Sequence, residues 1–100
     1  MTKERENRIP LVAPMLLEND TVVSVTEGDR VHVVYVEATT GKKLTKTGIV
    51  SEPHTGMHGW GFTLTVKGEE YHLIRPFNVD IPTGVHFQSI KILKKATKRR

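Results

Sequence analysis

Apolar and polar residues alternate along several short segments of the chain, which is the pattern expected of β-strands. The strongest of these segments lies at residues 30–38. Its two faces carry Val31, Val33 and Tyr35 on one side, and His32, Val34 and Val36 on the other. Apolar residues on both faces predict a strand in the interior of a sheet or in a closed barrel.

Other segments rich in β-branched and aromatic residues bring the total to about six short strands. These segments are residues 21–26, 43–51, 60–67, 71–75 and 85–93. Turn-forming residues separate them, and no segment keeps a helical period. We therefore predict an all-β fold, a small SH3-like barrel or a compact sandwich of short antiparallel strands. Within it, Gly48 predicts a bulge or a sharp bend, and residues 52–59 predict a loop.

One hairpin can be predicted down to its register. Gly68-Glu69 fits a two-residue type II′ turn, because glycine stands at its first central position. This turn would set Lys67 opposite Glu70, Val66 opposite Tyr71 and Leu64 opposite Leu73. An opposite-charge pair followed by apolar pairs on one face is a consistent arrangement.

The two chain ends are expected to differ from the strand-rich middle. Residues 1–8 are nearly all polar and predict a flexible N-terminus. Residues 9–20 contain an apolar run with two prolines, which predicts an extended arm and a turn. Residues 21–93 would form the β-barrel domain, and residues 94–100 a basic C-terminal tail. The arm is expected to bury four side chains against the barrel or a neighbouring chain: Leu11, Val12, Leu16 and Leu17.

The run from Glu27 to Val33, followed by Thr47-Gly48-Ile49-Val50, resembles the opening of SH3-like small barrels. In KOW-type and Sm-like domains, a Gly-Asp turn starts one strand and a glycine-containing strand pairs back. The resemblance covers roughly residues 27–93 as a pattern of strands. The Asn and the Arg-Gly pair of Sm proteins are absent. The resemblance implies an architecture used to bind RNA, DNA or proteins, and a fold alone does not select among these ligands.

Positive charge is concentrated at the C-terminal end. The 100 residues contain 15 Lys and Arg against 11 Asp and Glu, a formal net charge of +4. Residues 91–100 hold six of the cations and no acid, so the first 90 residues have a net charge of −2. A dense basic run of this kind predicts an arm that binds polyanions.

Composition excludes several classes of function. The absence of cysteine removes disulfides, thiol catalysis and cysteine-based zinc sites. His54 and His58 have no third ligand nearby in sequence, so we expect neither a metal nor another cofactor. There is no nucleophile elbow, glycine-rich phosphate loop or paired carboxylate, so we expect a non-enzyme. Without a membrane span or a secretory signal, we expect a cytoplasmic protein that does not bind membranes.

Phosphate contacts and base stacking are the two roles assigned to candidate site residues. The candidate nucleic-acid-binding residues are Lys42, Lys43, Lys46, His58, Trp60, Lys94, Lys95, Lys98, Arg99 and Arg100. Simpler interpretations exist. Lys42, Lys43 and Lys46 are equally consistent with solubilising charge at a hairpin tip, and the C-terminal run with a solvated tail. The position of Trp60 in its alternating segment favours the core over a stacking platform.

These features lead to two hypotheses about function. The first is a small β-barrel that binds nucleic acid, DNA or RNA, through its basic tail and its Lys42–Lys46 loop. The second is a protein-interaction module, a regulator or a subunit of an assembly, that docks or self-associates through residues 9–17. Polyanion binding would weaken with salt, whereas apolar association would survive it.

Overall fold

Seven β-strands and no helix form the part of the chain that the computed structural model describes, residues 10–76 and 84–96. This confirms the prediction of an all-β fold. The expected flexible end at 1–8, the connector at 78–83 and the last tail cations, Lys98, Arg99 and Arg100, lie outside the described residues. The strands are β1 Val12–Leu16, β2 Val22–Thr26, β3 Arg30–Glu37, β4 Lys43–Gly56, β5 Gly59–Val66, β6 Glu69–Pro76 and β7 Val85–Lys94.

The strands form two sheets. β1 and β2 pair with each other as a hairpin, and the other five lie in the order β6-β5-β4-β3-β7 with antiparallel neighbours. β3 therefore lies between β4 and β7, as its two apolar faces predicted. β4 is the longest strand, with 14 residues. It pairs with β3 up to Ile49 and with β5 from Ile49 onward.

The core lies on the inner face of the five-stranded sheet, beneath the β1–β2 hairpin. Val31, Val33, Phe62, Leu64 and Phe87 are all buried there. The Phe62 and Phe87 rings stack with centroids 5.6 Å apart and planes 11° from parallel. These rings come from β5 and β7, which are separated by two strands in the sheet order. The sheet is therefore strongly curved, with the core on its concave face.

The apolar arm forms β1 of the hairpin, and within this chain it buries one of the four side chains that were expected to pack on the barrel or on a neighbouring chain. Leu17 is buried, whereas Leu11, Val12 and Leu16 are exposed. Side chains along a strand point alternately to its two faces, and here the inward positions are Ala13, Met15 and Leu17. Only one face of β1 packs on the core of this chain, so its alternate residues stay exposed.

The β5–β6 hairpin forms, but its turn lies one residue earlier than predicted. Lys67 and Gly68 are the central residues, with φ of 50° and 85°. Positive φ at both positions fits a type I′ turn, which matches the twist of the flanking strands. Leu64 consequently pairs with Tyr71, and Phe62 with Leu73. Both registers place the same side chains inward, so the hydrophobic pattern could not distinguish them.

The loop predicted at residues 52–59 is instead strand. β4 continues to Gly56, and the two residues Met57 and His58 connect it to β5. Gly48 pairs with Val31 without a register shift, so the bulge that was one of its two predicted alternatives is not there. The β-bulge of β4 lies between Ser51 and His54, where Glu52 has a φ of 51°.

Candidate nucleic-acid interface

Exposed cations face each other across the outer side of β7, β3 and β4. Arg30 lies opposite Lys94, and His32 lies opposite Lys91, in the β3–β7 pairing. On the other side of β3, Val36 lies opposite Lys43. Arg30, Lys43, Lys91 and Lys94 are all exposed. We call this outer surface of β7, β3 and β4 the basic face.

Where β3 pairs with β4 and β7, no outward position carries a carboxylate; Glu52, an exposed acid of β4, lies beyond this region at the β4 bulge. The paired outward positions are Arg30, His32, Val34, Val36, Lys43, Thr45, Thr47, Ile49, His86, Ser89, Lys91 and Lys94, and Gln88 and Leu93 are exposed at the irregularities of β7. The nearest acid contact is at one corner, where Glu18 lies 3.2 Å from His86 Nδ1. Four exposed cations on one sheet surface create a positive potential that attracts polyanions.

The sheet holds the basic face in a fixed geometry. Each cation is attached to a strand whose backbone is hydrogen-bonded to a neighbouring strand. His32 is held in addition by its Nδ1, 2.8 Å from Thr47 Oγ1 on β4. A rigid arrangement loses less conformational entropy on binding than a flexible chain carrying the same charges.

Lys42, Lys43 and Lys46 do not act as one cluster. Lys42 and Lys43 are exposed at the start of β4. Lys46 lies opposite Val33, whose side chain belongs to the inner face, and its Nζ lies 4.3 Å from the Tyr71 ring centroid. The Tyr71 hydroxyl donates a 2.8 Å hydrogen bond to Glu69 Oε1, and this bond raises the pKa of Tyr71. Tyr71 therefore stays neutral beneath the Lys46 ammonium, and Lys46 is not part of the basic face.

Trp60 belongs to the core, as the parity of its segment predicted. It is only 8% exposed, and its Nε1 donates a 3.2 Å hydrogen bond to the Leu16 carbonyl. The Arg75 guanidinium lies over the ring, 5.6 Å from its centroid. His58 is exposed in the β4–β5 turn, at the opposite end of β4 from Lys43. We therefore leave Trp60 and His58 out of the candidate interface.

The described C-terminal cations lie in two environments. Lys94 ends β7 on the basic face. Lys95 Nζ lies 3.7 Å from Asp29 Oδ2, and the Ala96 amide donates a 2.7 Å hydrogen bond to Asp29 Oδ1. The described chain thus ends beside the turn that leads into Arg30. Lys98, Arg99 and Arg100 lie outside the described residues.

Sequence reasoning missed Arg30 and Lys91 as site residues. Arg30 stands among Glu27, Asp29 and Glu37 in the sequence, which made its surroundings look acidic. Asp29 is buried, however, and Glu37 accepts a hydrogen bond from Thr40 Oγ1. Strand alternation marks Arg30 as outward, but only the β3–β7 register sets it beside Lys94.

No three His, Asp or Glu side chains in the described part of the chain come together in a way that could hold a metal ion. Residues 10–76 and 84–96 include no helix long and apolar enough to cross a membrane. No protein-family model matches the chain, and searches of curated proteins and of solved structures give no match.

Proposed function

We propose that the protein binds nucleic acid through the basic face and has no catalytic role. The observation that carries the proposal is the cross-strand arrangement of Arg30, Lys43, Lys91 and Lys94, with no acid at the outward positions where β3 pairs with β4 and β7. Phosphodiester backbones carry the complementary charge, and they supply most of the affinity in sequence-independent binding. We also propose that the protein is cytoplasmic and meets nucleic acid there.

Counterion release would provide the driving force. Each Lys or Arg that neutralises a phosphate releases condensed cations from the nucleic acid, so affinity falls as salt rises. The basic face offers four such cations on a rigid sheet, with His32 between two of them. Lys42 adds a charge in the turn beside Lys43. Carboxylates among these cations would repel the phosphates, and the paired outward positions hold none.

A small SH3-like barrel is the finer description that we propose for the fold. Its support is the strand order β6-β5-β4-β3-β7, in which four consecutive strands form a meander and the last strand returns beside the first. A long β4 shared between β3 and β5, and the stacking of Phe62 on Phe87, add to that support. The β1–β2 hairpin would then cover one opening of the barrel.

Neutralising the basic face is expected to abolish most of the affinity. The variant Arg30→Gln/Lys91→Gln/Lys94→Gln removes three cations that lie together, and at about 0.15 M salt it should weaken binding up to roughly 100-fold. The slope of log affinity against log salt should become shallower by about 2 to 3 on duplex DNA. Fluorescence anisotropy of a labelled oligonucleotide across a salt series measures both quantities.

A charge-matched variant controls for net charge. Lys3→Gln/Arg5→Gln/Arg8→Gln also removes three cations, all before the first strand. It should retain nearly all of the affinity and slope. Equal losses in the two triple variants would mean that only net charge matters, and the proposed site on the basic face would be wrong.

The terminal cations are proposed to extend the basic face. A chain ending at Ala96 loses Lys98, Arg99 and Arg100 but keeps the contacts of Lys95 and Ala96 with Asp29. We expect an unchanged melting temperature and a salt slope on duplex DNA reduced by up to about 3. A salt slope identical to that of the full chain would mean that the terminal cations do not contact the nucleic acid and that the basic face binds it without them.

A protein-interaction module is the second candidate, and one surface favours it. The outward side of the β1–β2 hairpin exposes Val12 and Val22 at 58% and 56%, with Leu11 and Leu16 nearby. Apolar groups gathered on one side of a hairpin are typical of surfaces that bind other proteins. Association through this surface would persist at high salt, whereas the proposed nucleic-acid binding would not. Sedimentation velocity in low and high salt separates the two candidates.

A further inference from the structure

Among the residues that the structure describes, the basic face offers phosphate contacts but no Phe, Tyr or Trp on which a base could stack. Its paired outward positions hold Val, Thr, Ser, Ile and His besides the cations, and Gln88 and Leu93 are exposed at the irregularities of β7. The His32 ring is tied to Thr47 at 2.8 Å, and His86 to Glu18 at 3.2 Å. Proteins that bind single strands use aromatic side chains as stacking platforms. The basic face lacks that feature, so it suits a ligand whose bases are already stacked on each other.

The cations form two groups with an uncharged strip between them. Arg30, Lys91 and Lys94 lie at one end of β3, and Lys43 lies opposite Val36 at the other end. Arg30 and Val36 are six positions apart, which is about 20 Å at the usual rise of a strand. The strip between the two groups contains Val34, Thr45 and Ser89, which face each other across the three strands.

This backbone spacing exceeds the width of the major groove of B-form DNA by a distance that long side chains can cover. The major groove is about 12 Å wide, and its phosphates line both edges. Lysine and arginine side chains can extend from the two groups toward both edges, leaving the short uncharged residues above the groove. Duplex RNA presents a deep, narrow major groove instead, so its phosphates are arranged differently.

We infer that the ligand of the basic face is double-stranded DNA, held by the phosphates on both sides of one groove. The inference rests on the proposed function and adds the class of nucleic acid and the way it lies on the sheet. Arg30, Lys91 and Lys94 contact one backbone, and Lys43 with Lys42 contacts the other. Neither group stacks on a base.

The test compares one 20-mer sequence in three forms at a single salt concentration: duplex DNA, single-stranded DNA and duplex RNA. The full chain should bind duplex DNA about tenfold or more tightly than the single strand, because the single strand has lower charge density and finds no stacking partner. Duplex RNA should bind more weakly than duplex DNA.

A second comparison tests whether both groups act on one duplex. Lys42→Gln/Lys43→Gln should weaken binding to duplex DNA up to roughly 30-fold at about 0.15 M salt. Lys67→Gln, which removes an exposed lysine from the β5–β6 turn, is the control and should bind like the unmodified chain. Retained affinity in the double variant would overturn the two-backbone geometry.

The outcomes separate this inference from the function on which it rests. Binding to none of the three nucleic acids at low salt would overturn the proposed function. Equal or tighter binding to the single strand would overturn the inference and leave nucleic-acid binding standing. Equal or tighter binding to duplex RNA would overturn the choice of DNA.

Discussion

Replacing Gly61 with alanine is expected to destabilise the fold by about 3 kcal/mol or more. A Cβ atom at this position would overlap the carbonyl oxygen of Leu73 and would lie 2.8 Å from the Cα of Ile74. Both are backbone atoms of β6, the strand that pairs with β5 along its whole length. They cannot rotate away as a side chain could, so relief requires the two strands to move apart and disturb their ladder.

Urea unfolding followed by fluorescence of the single tryptophan measures this cost. Gly56→Ala is the matched control, since nothing lies within 4 Å of a Cβ placed there and its φ is not positive. We expect the free energy of unfolding of that control to differ from that of the unmodified protein by less than about 1 kcal/mol, in either direction. A Gly61 variant as stable as the Gly56 variant would contradict the close approach of β6.

This close approach changes the meaning of Gly59-Trp60-Gly61. The sequence suggested that flanking glycines would let a flat ligand reach the tryptophan ring. In the structure, the backbone of β6 occupies the space beside the glycines, and Trp60 faces the core. The local sequence is the same in both interpretations. Only the partner strand, distant in sequence, decides between them.

The strands themselves could be predicted because their signal is local. Alternation in segments such as 30–38 and 60–67 depends on neighbouring residues alone, and both segments form strands. The interior position of β3 followed for the same reason, because its two apolar faces are visible in its own sequence.

Registers could not be predicted, because they depend on backbone geometry. The β5–β6 turn at Lys67-Gly68 and the one predicted at Gly68-Glu69 bury the same side chains. The choice between them depends on which backbone conformation suits the strand twist. The long β4 was missed for a related reason, since Pro53 and Gly56 are typical of loops but here lie in a strand that contains a bulge.

The candidate site was predicted only where charge alone identifies it. Lys43 and Lys94 were chosen for their basic neighbours, and both lie on the basic face. Arg30 and Lys91 belong to the same surface through cross-strand pairing, which brings residues about 60 positions apart into register. Lys46 was chosen for the same reason as Lys43, but strand alternation turns it inward.

Asp29 is the residue whose loss should have the second large effect on stability. Its side chain is fully buried, and its carboxylate accepts hydrogen bonds from the Thr26 amide at 2.9 Å and the Ala96 amide at 2.7 Å. Its backbone joins the same region, because its carbonyl accepts a hydrogen bond from the Val50 amide. Asp29 thus connects the β2–β3 turn, β4 and the end of β7.

Asp29→Ala is expected to lower the free energy of unfolding by about 3 kcal/mol or more. The substitution leaves two backbone N–H groups without their acceptor, and a hydrogen bond to a charged group contributes about 1.5–3 kcal/mol. Asp29→Asn keeps the size of the side chain and one oxygen acceptor, but its amide group meets the other backbone donor. We therefore expect its stability to lie between those of the alanine variant and the unmodified protein.

Urea unfolding gives the stability of each variant, and amide hydrogen exchange shows where the structure loosens. Glu70→Ala removes an exposed carboxylate with the same change in charge, and it should cost less than about 0.5 kcal/mol. In the Asp29 variants, exchange should accelerate most at Thr26 and Ala96, because these amides lose their acceptor. Unchanged exchange at both amides, or equal losses of stability in Asp29→Ala and Glu70→Ala, would mean that Asp29 does not secure the end of β7.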